Sequence, residues 1–309
     1  MGLSKKKTFP GAFSHEMPKV QRSREHQVRE VCEVLSVRKL DPAELKSFNV
    51  ESALKKTEDK VLYRVSGKEH DYVLKGYLLF TDTPLVVRAD RRCVRTQGGL
   101  NDLLVSSNLS RLCPAFTQTI HGYFTKQGWL YFLKDYTGVD MKQYVTDHPE
   151  RLSHCILHSL CVVNHLLEGG VAGLKGFHRD LKLANLLLRP TAEPTVRYLA
   201  ATLPSGGVVP VVFDFAESVL FYKGRVICRH KHHLRRDSDM CLWRFNPTVN
   251  IRDFFRRLLK EVPFAADNEL VRMYVQVTES RKVSIPEFLA LPEVSGVTRR
   301  LGGTAGVGP

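Results

Sequence analysis

The chain changes texture partway along, and that change restricts its fold more than any other feature. From about residue 60 to 135 it runs in short apolar segments: Val61-Leu62-Tyr63-Arg64-Val65, Asp71 to Phe80, Pro84 to Ala89, and Trp129 to Leu133. Short runs rich in Val, Leu, Tyr and Phe, broken by Gly, Asp and Pro, are strand signals. One helical segment interrupts them, Leu100 to Leu112, with Leu103, Leu104, Leu109 and Leu112 apolar. From about 138 onward the spacing turns helical, over 139–147, 151–168, 250–260 and 266–276. In 151–168, Leu152, Cys155, Ile156, Leu160, Val163 and Leu167 recur at helical intervals. A strand pair is embedded there, Asn185–Pro190 and Val208–Phe215, joined by what reads as an inserted surface loop at 190–207. A β-rich half followed by a helical half predicts an α+β fold in two lobes.

Composition agrees. The 309 residues suffice for two lobes with cores of their own, and 43% hydrophobic with 25% charged residues is ordinary for a globular chain. No apolar run is long enough to span a bilayer, and the start carries no apolar signal-peptide segment. Met1-Gly2 opens like a myristoylation signal, but Lys6 stands where Ser or Thr is expected. Seven scattered cysteines without a C-x-x-C point to a reducing compartment, hence an intracellular protein of cytoplasm or nucleus.

The net charge of +14 predicts acidic or phosphate-bearing partners. Nearly all of it lies in two places. Residues 1–40 hold nine Lys/Arg against four Asp/Glu, and residues 221–260 hold eleven against three Asp. The first place opens as a basic tail, with a helix expected over 24–37 where Val28, Val31, Val34 and Leu35 share a face. No aromatic-interleaved basic motif points to nucleic acid. The Cys228-Arg229-His230-Lys231-His232-His233 run, with Cys241 beyond, has zinc-type ligands, but irregular spacing and crowding cations favour a basic surface.

The chemistry sits in His178-Arg179-Asp180-Leu181-Lys182-Leu183-Ala184-Asn185 and in Phe213-Asp214-Phe215. These segments resemble the protein kinase superfamily: HRDLKxxN is its catalytic loop, and DFA stands where the family has DFG. The resemblance implies ATP- and Mg²⁺-dependent transfer. Asp180 would be the catalytic base, Lys182 would contact the γ-phosphate, and Asn185 and Asp214 would bind Mg²⁺. A Lys two residues after the Asp is the serine/threonine version, which implies protein hydroxyls as acceptors. Tyr72-Val73-Leu74-Lys75 resembles the strand whose Lys holds the α/β-phosphates. Its helix partner would be a Glu, yet none lies in Asn101–Leu112. Asp102 either substitutes, one methylene shorter, or caps a solvent-facing helix start. Lys134-Asp135-Tyr136-Thr137-Gly138 resembles the hinge that binds adenine through its backbone, so Asp135 and Tyr136 are candidate nucleotide contacts, and Lys134 falls near the usually apolar gatekeeper position.

Four departures accompany the resemblance. The glycine-rich loop is missing: Lys56 to Val65 occupies its place, with Glu58 and Asp59 ready to repel phosphate. Ala216 replaces the DFG glycine. Asn185 and Asp214 are far apart in sequence. No A-P-E follows, and the Asp253-Phe254-Phe255 helix is expected to replace the usual anchor. Such departures resemble divergent serine/threonine kinases of large DNA viruses. The alternative they favour is a pseudokinase, an interaction module with little or no turnover. The expected organisation is a basic extension at 1–45, a β-rich N-lobe at 46–136, a shortened helical C-lobe at 137–300 and a flexible tail at 301–309. The expected partner is a protein substrate, acidic or phosphorylated, met by His230, Lys231, Arg235 and Arg236, with no membrane contact.

Overall fold

The computed structural model describes residues 19–46, 48–67, 71–79, 86–89, 93–135, 138–168, 173–222, 224–229 and 246–305. Tyr136, the opening basic tail, and His230, Lys231, Arg235, Arg236 and Cys241 lie outside the described residues.

Helix α1 (Lys19–Val34) buries Val28, Val31 and Cys32, and the short helix α2 (Pro42–Leu45) starts at an Asp41/Glu44 capping box. Then follow β1 (Asn49–Lys56), β2 (Lys60–Ser66), β3 (Asp71–Leu78), the hairpin strands β4 (Val86–Ala89) and β5 (Cys93–Thr96), helix α3 (Gly98–Leu112), β6 (Ile120–Lys126) and β7 (Trp129–Asp135). Five of these strands form one antiparallel sheet in the order β1-β2-β3-β7-β6. The sequence reading missed β1. Its Asn-Val-Glu-Ser-Ala-Leu-Lys-Lys is too polar to announce a strand, because it forms a largely exposed sheet edge.

Helix α3 is enclosed on every side, with Leu100 through Ser110 all buried. That is why it carries Asn, Asp and Ser among its leucines rather than one apolar stripe: Asn101, Asp102, Ser106, Asn108 and Ser110 all make side-chain hydrogen bonds inside the protein.

The second region begins with β8 (Val139–Asp140) and α4 (Met141–Asp147), whose first turn is capped by Asp140 accepting from the Gln143 N–H at 2.8 Å. The buried helix α5 (Leu152–Leu167) is its spine. Cys155 and Cys161 are buried along it, as core residues should be. Strands β9 (Lys175–Phe177), β10 (Leu186–Pro190), β11 (Thr195–Arg197), β12 (Ala201–Pro204), β13 (Val208–Val212), β14 (Val219–Tyr222) and β15 (Arg225–Arg229) come next. Helices Thr248–Glu261, Glu269–Ser280, Ile285–Leu289 and Pro292–Arg300 and the last strand β16 (Thr304–Ala305) close the described chain.

Two expectations need correction. The segment 190–207 is not a plain loop: β11 and β12 form a hairpin, joined by β16 into a three-stranded sheet, so residues 304–305 are not part of a loose tail. His154 and His158 of α5 hold this insertion through the Pro204 carbonyl, and His158 also meets the Tyr198 hydroxyl at 2.6 Å.

A second five-stranded sheet runs β4-β5-β15-β14-β9, with β5 and β15 parallel. It straps the segment after Asp214 to the hairpin between β3 and α3. Gly138, where the chain leaves β7, has φ +38, and a Cβ there would collide with the Leu188 carbonyl.

Candidate active site

Lys75 sits mid-way along β3, opposite Phe132 of β7 and Leu62 of β2, and is 2% exposed. Its Nζ lies 2.5 Å from Asp102 Oδ2 and 2.7 Å from Asp214 Oδ1. Asp102 therefore takes the first of its two expected roles. It is no cap: Gln97 holds that position, and Asp102 is fully buried within α3. Its carboxylate also accepts from the Tyr77 hydroxyl (3.2 Å), the Ser106 hydroxyl (3.1 Å) and the Phe215 N–H (2.8 Å). Burial alone would lower the Lys75 pKa, but Asp102 and Asp214 outweigh it and hold the ammonium charged. Burial would likewise raise Asp214, and Lys75 with Lys60 overcomes it, so this carboxylate stays ionised far below the usual range.

Asp214 has φ 62 and ψ 61, left-handed backbone that a non-glycine residue adopts only when its surroundings impose it. The surroundings are visible. Asn101 of α3 donates its side-chain amide to the carbonyls of Phe215 (3.0 Å), Ala216 (3.2 Å) and Ser218 (2.9 Å), pinning the segment from the helix. His178 donates from Nε2 to the Phe213 carbonyl at 2.9 Å, and its ring lies 5.0 Å from that of Phe215. Ala216 in place of glycine is thus accommodated in a short 3-10 turn, Phe215–Glu217.

Asp180 and Asn185 face each other across the catalytic-loop turn. The Asn185 amide donates to the Asp180 carbonyl (2.8 Å) and to Asp180 Oδ2 (3.1 Å). Lys182 Nζ is 3.2 Å from the same oxygen, while Arg257 of the Thr248–Glu261 helix is 3.0 Å from Asp180 Oδ1. Asp180 is thereby presented at the surface of the site with both oxygens oriented.

The anchor of this loop is Asn250, which sequence reasoning passed over in favour of Asp253. Asn250 Oδ1 accepts from the His178 N–H (3.2 Å), and its amide donates to the Gly176 carbonyl (3.0 Å) and to Glu168 Oε1 (3.1 Å). A signal existed: Asn250 is one polar residue in the apolar stripe Ile251, Phe254, Phe255 and Leu258, all buried. A buried Asn in such a stripe must be satisfied by something that it holds in place.

Burial pushes the Glu168 carboxyl up to about 7, the Asn250 hydrogen bond offsetting only part, and Oε2 is buried without a partner among the described residues. An acid raised in the folded state loses stability as pH climbs from about 4.5 through 7, because the unfolded chain ionises first. Glu168→Gln is expected to be more stable than the native protein by about 2 kcal/mol at pH 8 and equal to it near pH 4.5, the shift being discounted for partial exposure. Urea unfolding at the two pH values checks this; equal stability at pH 8 contradicts it.

Two residues depart from expectation. Lys134, in the gatekeeper region, is 3% exposed and stacks its ammonium 5.8 and 5.6 Å from the Phe132 and Phe213 rings. Burial, with Lys75 nearby, lowers it to about 7 against the pull of Asp102 and Asp214. Asp135 ends the β3–β7 ladder; its N–H donates to the Thr119 carbonyl and its carbonyl accepts from the Gln118 amide. Its main-chain groups are thus engaged within the protein, and a nucleobase contact there would displace one of them.

The β1–β2 connection is a glycine-free turn. The Thr57 N–H donates to the Lys60 carbonyl at 2.8 Å, the Lys60 N–H to the Thr57 hydroxyl at 3.1 Å, and that hydroxyl to Asp59 Oδ1 at 2.9 Å. From its end Lys60 reaches in, its Nζ 3.4 Å from Asp214 Oδ2.

An antiparallel sheet on the N-terminal side, a helical region on the other, and this cluster near both are compatible with a kinase-like fold. No family model matches the chain, and no curated protein does. Among solved structures it is similar to the PknI kinase domain of Mycobacterium tuberculosis, at 19% identity and a TM-score of 0.34, over 55% of this chain and 60% of that one. No helix among the described residues is long and apolar enough to cross a membrane, and none of their His, Cys, Asp and Glu side chains cluster as a metal site by themselves.

Proposed function

We propose that this chain transfers the γ-phosphoryl group of ATP to Ser and Thr hydroxyls of protein substrates. The observation that carries the reading is the convergence of Lys75, Asp102 and Asp214 from β3, α3 and the segment after β13 into one buried ion-paired cluster. The second half of the machinery, Asp180 with Asn185 and Lys182, is assembled on the loop before β10. Phosphoryl transfer asks for these parts: a cation on the nucleotide phosphates, a carboxylate to orient and deprotonate the hydroxyl, and a second cation for charge on the moving group. Lys75 takes the first role, Asp180 the second and Lys182 the third.

The donor set also suits Mg²⁺. Among the described residues, both hydrogen bonds of the Asn185 side chain leave from its nitrogen, to Asp180, so Oδ1 is left to act as ligand, and Asp214 adds an ionised carboxylate. When bound there, Mg²⁺ would neutralise charge on the phosphates. His178, Asn250 and Asn101 do not touch the reacting groups; they fix the two backbone segments that carry them.

The partner reading rests on charge. The Thr248–Glu261 helix places Arg257 on Asp180 and carries the exposed Arg252 and Arg256 at Asp253, so an acidic or phosphorylated substrate would meet cations on the helix that contacts Asp180. The buried Cys32, Cys113, Cys155 and Cys161, none of them in a disulfide, support a reducing cytoplasmic or nuclear compartment. Kinship with the divergent kinases of large DNA viruses rests on the glycine-free turn and Ala216. The pseudokinase reading has an observation of its own, the cation that Lys60 places on Asp214. Incubation with γ-labelled ATP, Mg²⁺ and an acidic and a basic protein separates the two: phosphoserine and phosphothreonine are expected in the hydrolysate. Nucleotide binding with no labelled amino acid would favour the interaction module.

A further inference from the structure

We propose that Lys60 is a phosphate-binding residue, its ammonium replacing the glycine-loop backbone that this chain lacks in holding the phosphates of a nucleoside triphosphate. The inference rests on the phosphoryl-transfer reading and adds to it a residue that no kinase motif in this sequence assigns.

The turn itself is a poor anion cradle. It contains no glycine, two of its N–H groups are spent on internal bonds, and Glu58 and Asp59 stand at its tip. A backbone nest needs free N–H groups converging on the anion, and side chains beyond Cβ keep a phosphate at a distance. The side chain at the end of the turn does the opposite. Lys60 pairs with Tyr77 across the β2–β3 ladder and lays its ammonium 5.5 Å from the Tyr77 ring centre, pointing toward Lys75 and Asp214.

Charge in this cluster is out of balance. The three lysines 60, 75 and 134 surround two carboxylates, Asp102 and Asp214. Lys75 is matched at 2.5 and 2.7 Å, whereas Lys60 has one long contact at 3.4 Å and so keeps donor capacity in reserve. Of the two ammonium groups at Asp214, Lys60 is the one that solvent reaches: its side chain is 25% exposed, against 3% for that of Lys75. An entering polyanion therefore meets Lys60 first.

The test measures binding of ATP, ADP and adenosine to the full chain by calorimetry, once with a chelator and once with Mg²⁺. The variants are Lys60→Met, Lys60→Gln and Lys60→Arg; two neutral variants are used so that the outcome does not hang on either one folding. The expected result is that ATP binds about tenfold or more weakly to both neutral variants in each condition, since a charge-assisted phosphate contact is lost. Adenosine affinity stays unchanged, and Lys60→Arg retains most of the ATP affinity. Neutral variants that bind ATP within twofold of the native protein overturn the assignment of Lys60 and leave the kinase reading standing. Equal losses for ATP and adenosine overturn it too, since the residue would then be shaping the site rather than holding phosphate. A native protein that binds none of the three overturns both readings together.

Discussion

Asp102→Ala is expected to destabilise the protein by about 3–5 kcal/mol and to abolish nucleotide-dependent phosphate transfer, the larger of the two structural effects foreseen here. The carboxylate is completely buried and serves four donors at once: the Lys75 ammonium, the Tyr77 and Ser106 hydroxyls and the Phe215 N–H. Its removal leaves a buried ammonium short of one counter-charge and a buried backbone N–H without an acceptor, the two conditions that make polar deletions expensive. Lys75 would then be left with Asp214 as its counter-charge, and the segment after Asp214 would lose one of its tethers to α3, those of Asn101 remaining. Asp102→Asn keeps an acceptor for Phe215 but not the charge, so it should restore part of the stability and none of the activity. Chemical denaturation and a transfer assay on the same preparations check this. An alanine variant within 1 kcal/mol of native stability would show that the pair is dispensable.

The same residue shows how far the sequence carries. HRDLKLAN is contiguous, so the catalytic loop and the roles expected of Asp180, Lys182 and Asn185 could be read directly from it. Asp102 could not be decided, because cap or ion-pair partner depends on where the helix starts. The start at Gly98, one residue after Gln97, puts Asp102 in the second turn, facing β3. Asn250 was hidden for a different reason: its partners, Glu168, Gly176 and His178, lie more than seventy residues away in sequence. The hairpin β11–β12 escaped because its strands are short and owe their order to the histidines of α5 and to pairing with β16, all non-local contacts. The sequence puts Lys134 at the end of a strand, yet only packing shows its ammonium near the Phe132 and Phe213 rings.

The second large effect concerns Asp180. Its two oxygens are oriented by Asn185 and Lys182 on one side and by Arg257 on the other, and none of these can accept a proton from a substrate hydroxyl. On the proposed phosphoryl-transfer reading, Asp180 is the carboxylate for that task. Asp180→Asn keeps the shape and one of the two acceptor oxygens but sets an NH₂ group against a donor on the other side and removes the base, so the transfer rate should fall by about 10²–10⁴-fold. Nucleotide affinity should hardly change, since the proposed readings give the phosphates to Lys75 and Lys60 rather than to Asp180. Folding should survive, because the side chain is partly exposed and water can solvate the donor that loses its acceptor.

That comparison reaches the central claim most directly. Native protein and Asp180→Asn, matched for folding and for ATP binding, are given γ-labelled ATP, Mg²⁺ and the same acidic protein, and label in the acceptor is followed over time. The cluster described above predicts transfer by the native protein and at least a hundredfold less by the variant. Equal transfer from the two preparations would contradict it.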